Sequence, residues 1–169
     1  MKNLVLIGMM GSSKTTVGKL LASDLNLPFC DGDDEYEKVF GESISETFAK
    51  YGEKVFRERE KEVYARLGSL GGSVIACGGG VVLSQDNMTA LSSNGVIVRL
   101  TATAEEIFSR VSNKADRPLI KEGGLDRIKQ IMTEREPLYA KYAHCTVDTT
   151  GLTPDAVKEK VKTFFTKNN

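Results

Sequence analysis

The stretch GMMGSSKTT at 8–16 carries the residue types needed to hold a phosphate chain. Against the template G-x-x-x-x-G-K-[ST], Gly8, Lys14 and Thr15 fit, while Ser13 stands where the template has glycine. In such a loop the Lys14 ammonium reaches the β- and γ-phosphates, and the Thr15 hydroxyl ligates Mg²⁺. The stretch follows an apolar run, LVLIG at 4–8, and precedes a helical pattern. That is where loop amides and a helix N-terminus converge on an anion. The plainer reading is a glycine-rich turn followed by an exposed lysine. Glycine before the lysine serves either a positive φ or a close approach of backbone to phosphate. A serine forced into the left-handed region costs roughly 1–2 kcal/mol. Ser13 removes no donor, charge or metal ligand, so the loop is expected to be impaired, not abolished.

A second set of residues could serve an acceptor. FCDGDDEYE places Asp31 and Asp33 at the end of the second apolar run, the edge of an α/β sheet where ligands bind. Two carboxylates at i and i+2 can divide the work, one facing metal and one facing substrate; they can equally be helix N-caps. In FRERE, Arg57 and Glu60 are three apart and share a helix face, which suits either a built site or a surface ion pair. Gly78, Gly79 and Gly80 follow the third apolar run directly. Consecutive glycines are entropically costly and suggest a backbone that something approaches closely.

These residues need elements to position them. Strand-like runs fall at 4–8, 28–31, 73–78, 95–100 and 145–148, and helical patterns at 14–24, 33–40, 46–68, 84–92, 104–112, 125–142 and 154–166. Ser43 with Glu46 and Thr103 with Glu106 fit the capping box, and Thr153 before Pro154 fits an N-cap with proline at the first helical position. Strands separated by helices, each strand nearly continuous in apolar residues, predict a parallel sheet covered on both faces. Pro137 inside a helical pattern is expected to kink or break it. His144, just before the last strand and without metal-ligand spacing, reads as structural.

Length and composition narrow the function classes. The 169 residues suit one domain. Twenty-three basic residues balance 23 acidic ones, so no charge excess points to nucleic acid or to a membrane surface. Cys30, Cys77 and Cys145 are far apart, which argues against a zinc site or a disulfide framework and for reduced, buried thiols. No run of about 18 apolar residues is present, and the N-terminus lacks a signal-peptide pattern. The expected location is the cytoplasm.

In order along the chain stand G-x-M-G-x-x-K-[ST]-T at 8–16, D-x-D at 31–33, F-R-x-x-E at 56–60, G-G-G at 78–80, R-P-L at 117–119 and R-x-P-L-Y at 135–139. Together they resemble the shikimate kinase family over nearly the whole chain. The resemblance implies a three-layer α/β/α nucleoside-monophosphate-kinase fold, a single domain over 1–169 with a five-stranded parallel sheet of order 2-3-1-4-5. It implies a mobile lid near 112–124 and a substrate-binding region near 31–60. The reaction implied is transfer of the ATP γ-phosphoryl to the 3-hydroxyl of shikimate, on the way to chorismate and the aromatic amino acids. Carried over by position, ATP is bound by Gly11, Ser12, Ser13, Lys14, Thr15 and Thr16, with Arg110, Arg117 and Pro154. Mg²⁺ is held by Thr15 and Asp31. Shikimate is bound by Asp33, Arg57, Gly79, Gly80 and Arg135, with Glu60 orienting the arginines. The catalytic residues are Asp33, Lys14 and the lid arginine Arg117. The partners are ATP and shikimate alone, and the chain is expected to work as a monomer. The alternatives are another small-molecule kinase, such as one acting on gluconate, and a nucleotide-binding regulator without catalysis, which Ser13 alone supports.

Overall fold

Five short apolar strands build one parallel sheet in the order β2-β3-β1-β4-β5. They are β1 (Asn3–Ile7), β2 (Phe29–Asp31), β3 (Val74–Ala76), β4 (Gly95–Thr101) and β5 (Cys145–Asp148). The computed structural model describes residues 1–112 and 123–169. Among these, the helices are α1 (Lys14–Leu25), α2 (Gly32–Phe40), α3 (Ile44–Gly68), α4 (Gln85–Ser93), α5 (Ala104–Ser112), α6 (Gly124–Tyr142) and α7 (Pro154–Asn168), with a 3₁₀ turn at Val81–Leu83. The α/β class expected from the alternating pattern is the one observed. Most of the expected lid, including Arg117, lies outside the described residues.

The strands read as continuous apolar runs because each face of the sheet has its own core. On β1, Leu4 and Leu6 point toward α1 and α7, packing with Val17, Leu21, Val157, Val161 and Phe165. Val5 and Ile7 point the other way, toward Tyr64, Met88, Ile107 and Ile128. Both faces are sealed, so ligand chemistry is confined to the strand ends.

Several local signals act as expected, and others do not. Ser43 and Glu46 form a complete capping box. Thr103 caps α5 by accepting from the Glu106 amide at 3.2 Å, but the box is not closed: the Glu106 carboxylate pairs with Arg110 at 2.9 Å, and the Thr103 amide donates to Thr150 instead. Thr153 accepts from the Ala156 amide, with Pro154 in the first turn of α7. Pro137 does not break its helix, and α6 runs through it from Gly124 to Tyr142. The break occurs in α3, where Gly52 takes φ 78°, ψ 177° and divides the helix. Of the cysteines only Cys77 is buried; Cys30 and Cys145 are half-buried, and all three are free. His144 is structural as expected, its Nδ1 accepting from the Ile97 amide at 3.0 Å while its own amide donates to the Ile97 carbonyl.

Candidate active site

The loop between β1 and α1 lies over the end of the sheet. Gly8 has to be glycine, because a Cβ there would come 2.1 Å from the Leu100 carbonyl oxygen of β4. Ser13 is the N-cap of α1 at φ 70°, ψ 20°, the left-handed conformation for which glycine is the low-energy choice. Its side chain makes no capping hydrogen bond and the first turn of α1 holds no acidic residue. By contrast α2, α3, α4 and α7 are each capped by a side chain. The amides that open α1 and the positive end of its dipole are thus left for an anion.

Around that helix start, Lys14 is 8% exposed, and its ammonium donates to the carbonyls of Gly8 at 2.7 Å and Met9 at 2.8 Å. The cation therefore sits in the middle of the loop. Ser12 is fully buried and turns inward, its hydroxyl donating to Met9 O at 2.7 Å. Arg110 borders the loop from α5, donating to the Gly11 carbonyl at 3.2 Å and to the Thr149 hydroxyl at 3.0 Å. Pro154 opens α7 and is exposed, outside the lining of the cleft described below.

Thr15 and the D-x-D pair meet across the loop. The Thr15 hydroxyl donates to Asp31 Oδ2 at 2.8 Å, while Asp31 Oδ1 accepts from the Asp33 amide at 3.0 Å and caps α2. Asp31 therefore plays both parts that its position allowed, cap and partner of Thr15. A hydroxyl and a carboxylate oxygen converging here suit a hard divalent cation, which takes one or two protein oxygens beside substrate phosphates and water. Among the described residues no group of three or more His, Cys, Asp or Glu could hold a metal ion.

The glycine run is where the acceptor-side residues gather. A Cβ on Gly78 would lie 3.0 Å from Asp33 Oδ1, one on Gly79 3.2 Å from the Met10 amide and 3.7 Å from Arg135 Nη1, and one on Gly80 3.0 Å from Arg57 Nη1. None of the three is among the glycines with positive φ. Their role is spatial: each lets a different part of the site come against the backbone.

Arg57 donates to Glu60 at 2.9 Å, and that carboxylate, buried at 6% exposure, also accepts from Asn87 at 3.2 Å. Arg135 donates to the Gly79 carbonyl at 3.0 Å, and the Tyr139 hydroxyl to the same oxygen at 2.6 Å. Burial raises the Tyr139 phenol, with Arg135 opposing, and burial drives the Cys77 thiol far above its ordinary range. Both stay protonated at neutral pH, so Cys77 borders the site as an inert thiol.

Sequence reasoning missed three supporting residues. Tyr139 lay within the R-x-P-L-Y run, but nothing marked its hydroxyl as a partner of Gly79. Asn87 and Tyr64, the latter accepting from the Gly78 amide at 2.8 Å, carry no local signal at all.

One cleft of about 250 Å³ joins the two halves, lined by Ser13, Lys14, Thr15 and Arg110 on one side and by Asp31, Asp33, Gly78 and Gly79 on the other. Nucleotide-type and acceptor-type residues thus share a single space. No described helix is long and apolar enough to cross a membrane.

Comparisons with known proteins point to one family. A family model described as shikimate kinase matches residues 10–166. The shikimate kinase of Thermodesulfovibrio yellowstonii is 47% identical over 162 residues, covering 95% of this chain and 93% of that protein. That of Caldanaerobacter subterraneus subsp. tengcongensis is 44% identical over 168 residues, covering 99% and 98%. Among solved structures, shikimate kinase from Acinetobacter baumannii in complex with shikimate superposes with a TM-score of 0.94 at 34% identity, covering all of this chain and 95% of the other.

Proposed function

The chain belongs to the shikimate kinase family, and from that premise we propose how its residues divide the work. The protein is an ATP-dependent kinase acting on shikimate. The observation that best supports this reading is the cleft shared by the phosphate loop with Asp33, Gly78 and Gly79, beside which Arg135 and Arg57 lie against Gly79 and Gly80.

The phosphates of ATP bind the uncapped start of α1, with Lys14 supplying positive charge beside the transferring group. Arg110 holds Gly11 against Thr149 and so fixes the nucleotide end of the cleft. Arg117, assigned through the resemblance, adds charge to the phosphates in the transition state. On the acceptor side Arg57 and Arg135 grip the shikimate carboxylate, a task that suits planar, permanently charged forks. Glu60 and Asn87 orient the first of them, and Tyr139 braces the loop that meets the second.

Asp33, against Gly78, holds the 3-hydroxyl. As the acceptor oxygen bonds to the γ-phosphorus and the bond to the β-phosphate oxygen breaks, Asp33 takes the hydroxyl proton and ADP leaves. Mg²⁺ would be held by Thr15 and Asp31 and would neutralise charge on the phosphates.

The test is ADP release from ATP and Mg²⁺ with shikimate, with gluconate and with no acceptor. Release is expected with shikimate alone. Asp33→Asn should lower kcat by about 10²- to 10⁴-fold while ATP still binds; an unchanged kcat removes Asp33 from its role.

A further inference from the structure

Tyr64 is 2% exposed and lies on the half of α3 that also carries Arg57 and Glu60. Its hydroxyl accepts from the Gly78 amide at 2.8 Å. The same oxygen lies 2.4 Å from where a Cβ on residue 32 would stand, with ring carbons at 3.0 and 3.1 Å. Residue 32 is glycine, and it separates Asp31, partner of Thr15, from Asp33, the acceptor carboxylate. A Cβ on Gly78 would lie 3.6 Å from this hydroxyl and 3.0 Å from Asp33 Oδ1. One phenolic oxygen therefore touches both backbones that frame the acceptor site.

The ring leaves little slack. The space enclosed by Gly32, Asp33, Glu60 and Tyr64 is about 10 Å³, room for no more than about one water. A tyrosine that only filled volume would not need its oxygen on a loop amide, nor a glycine opposite. Resting on the assignment of the cleft above, we propose that Tyr64 is a positioning residue for phosphoryl transfer, fixing the distance between Asp33 and the glycine run through Gly32 and the Gly78 amide. Burial keeps the phenol protonated, and the nearby Cys77, Asp33 and Glu60 act in the same direction. The hydroxyl is thus a permanent contact across the working pH range.

Tyr64→Phe keeps the ring and removes the contact, and Gly32→Ala keeps the hydroxyl but pushes it from Gly78. Steady-state kinetics with ATP and shikimate, thermal melting, and ATP binding by equilibrium dialysis are measured on the wild type, both single variants and the double variant. We expect each single variant to lose about 10- to 100-fold in kcat/KM for shikimate, the size of a small misplacement near the chemistry. The ATP dissociation constant should stay within about twofold, because the phosphate loop is untouched. In the double variant the two losses should not multiply, because the closest contact with the new methyl is gone while the ring carbons at 3.0 and 3.1 Å remain.

Wild-type kinetics for shikimate in Tyr64→Phe, or ATP affinity falling in step with shikimate turnover, would overturn the proposal. Should Tyr64→Phe fail to fold, Gly32→Ala decides: a selective shikimate defect supports the proposal and unchanged kinetics overturn it. A wild-type chain inert with shikimate overturns the underlying assignment, and this inference with it.

Discussion

Ser13 sits at φ 70°, ψ 20° with no compensating hydrogen bond from its side chain. The left-handed conformation costs a non-glycine residue about 1–2 kcal/mol, and nothing at this position returns it. Ser13→Gly relieves that strain but adds about 0.5–1 kcal/mol of chain entropy in the unfolded state. The net expectation is a gain of about 1 kcal/mol, seen as a melting temperature higher by about 2–4 °C. The same change should raise kcat/KM for ATP, since the helix start that receives phosphate no longer competes with a strained cap. An equal or lower kcat/KM in the glycine variant would mean that the serine hydroxyl is itself used on the phosphates. At this scale the sequence was informative in part: the loop template left open whether glycine served a positive φ or a close approach to phosphate, and the backbone at Ser13 has the positive φ.

Elements are held to one another by contacts that local patterns do not announce. Helix α6 is pinned to β4 by Arg99, which donates to both oxygens of Glu136 and stacks over the Tyr139 ring. The position next to Glu136 is Arg135, so this clamp sets where the helix presents its arginine. Arg99 holds the Glu136 carboxyl below its ordinary value of 4.5. A depressed carboxyl contributes stability that is complete above the ordinary value and is lost as pH falls through the lower, folded one. Glu136 is more than half exposed, so screening limits the effect to about 1 kcal/mol. Glu136→Gln should melt earlier than the wild type at neutral pH, and the gap should close as pH falls below about 4. A gap independent of pH would assign the loss to packing.

The same contrast explains what was legible. The five strands announced themselves as sealed apolar runs, and Ser43 with Glu46 as a box, because those signals act within a few residues. Thr103 and Glu106 have the same spacing, yet Arg110 and Thr150 compete for their groups. Pro137 bends nothing enough to end α6, whereas Gly52, unremarkable in sequence, divides α3. Asp31, Asp33 and Arg57 stood out by type and spacing and Arg135 only through the family resemblance, but Tyr64, Asn87 and Tyr139 became visible only when distant segments met.

In the molecule as a whole, the sheet brings the ends of β1, β2 and β3 side by side, and with them the phosphate loop, the D-x-D turn and the glycine run. Asp33, Arg57 and Arg135 are scattered over more than a hundred positions of sequence and all meet the glycine run at 78–80.

That convergence makes Gly78–Gly80 a crossing point, with Asp33 against the first glycine, Arg135 against the second and Arg57 against the third. Peptide planes in so short a segment do not tilt independently. The thermodynamic consequence is cooperativity without an intervening domain motion. Loosening one arginine should already have taken part of what the other contributes. Arg57→Ala and Arg135→Ala, each weakening shikimate binding alone, should combine with a coupling energy of about 0.5–3 kcal/mol. Strict additivity in that double-mutant cycle would mean that the two arginines grip the substrate as separate hands, and not through one shared strip of backbone.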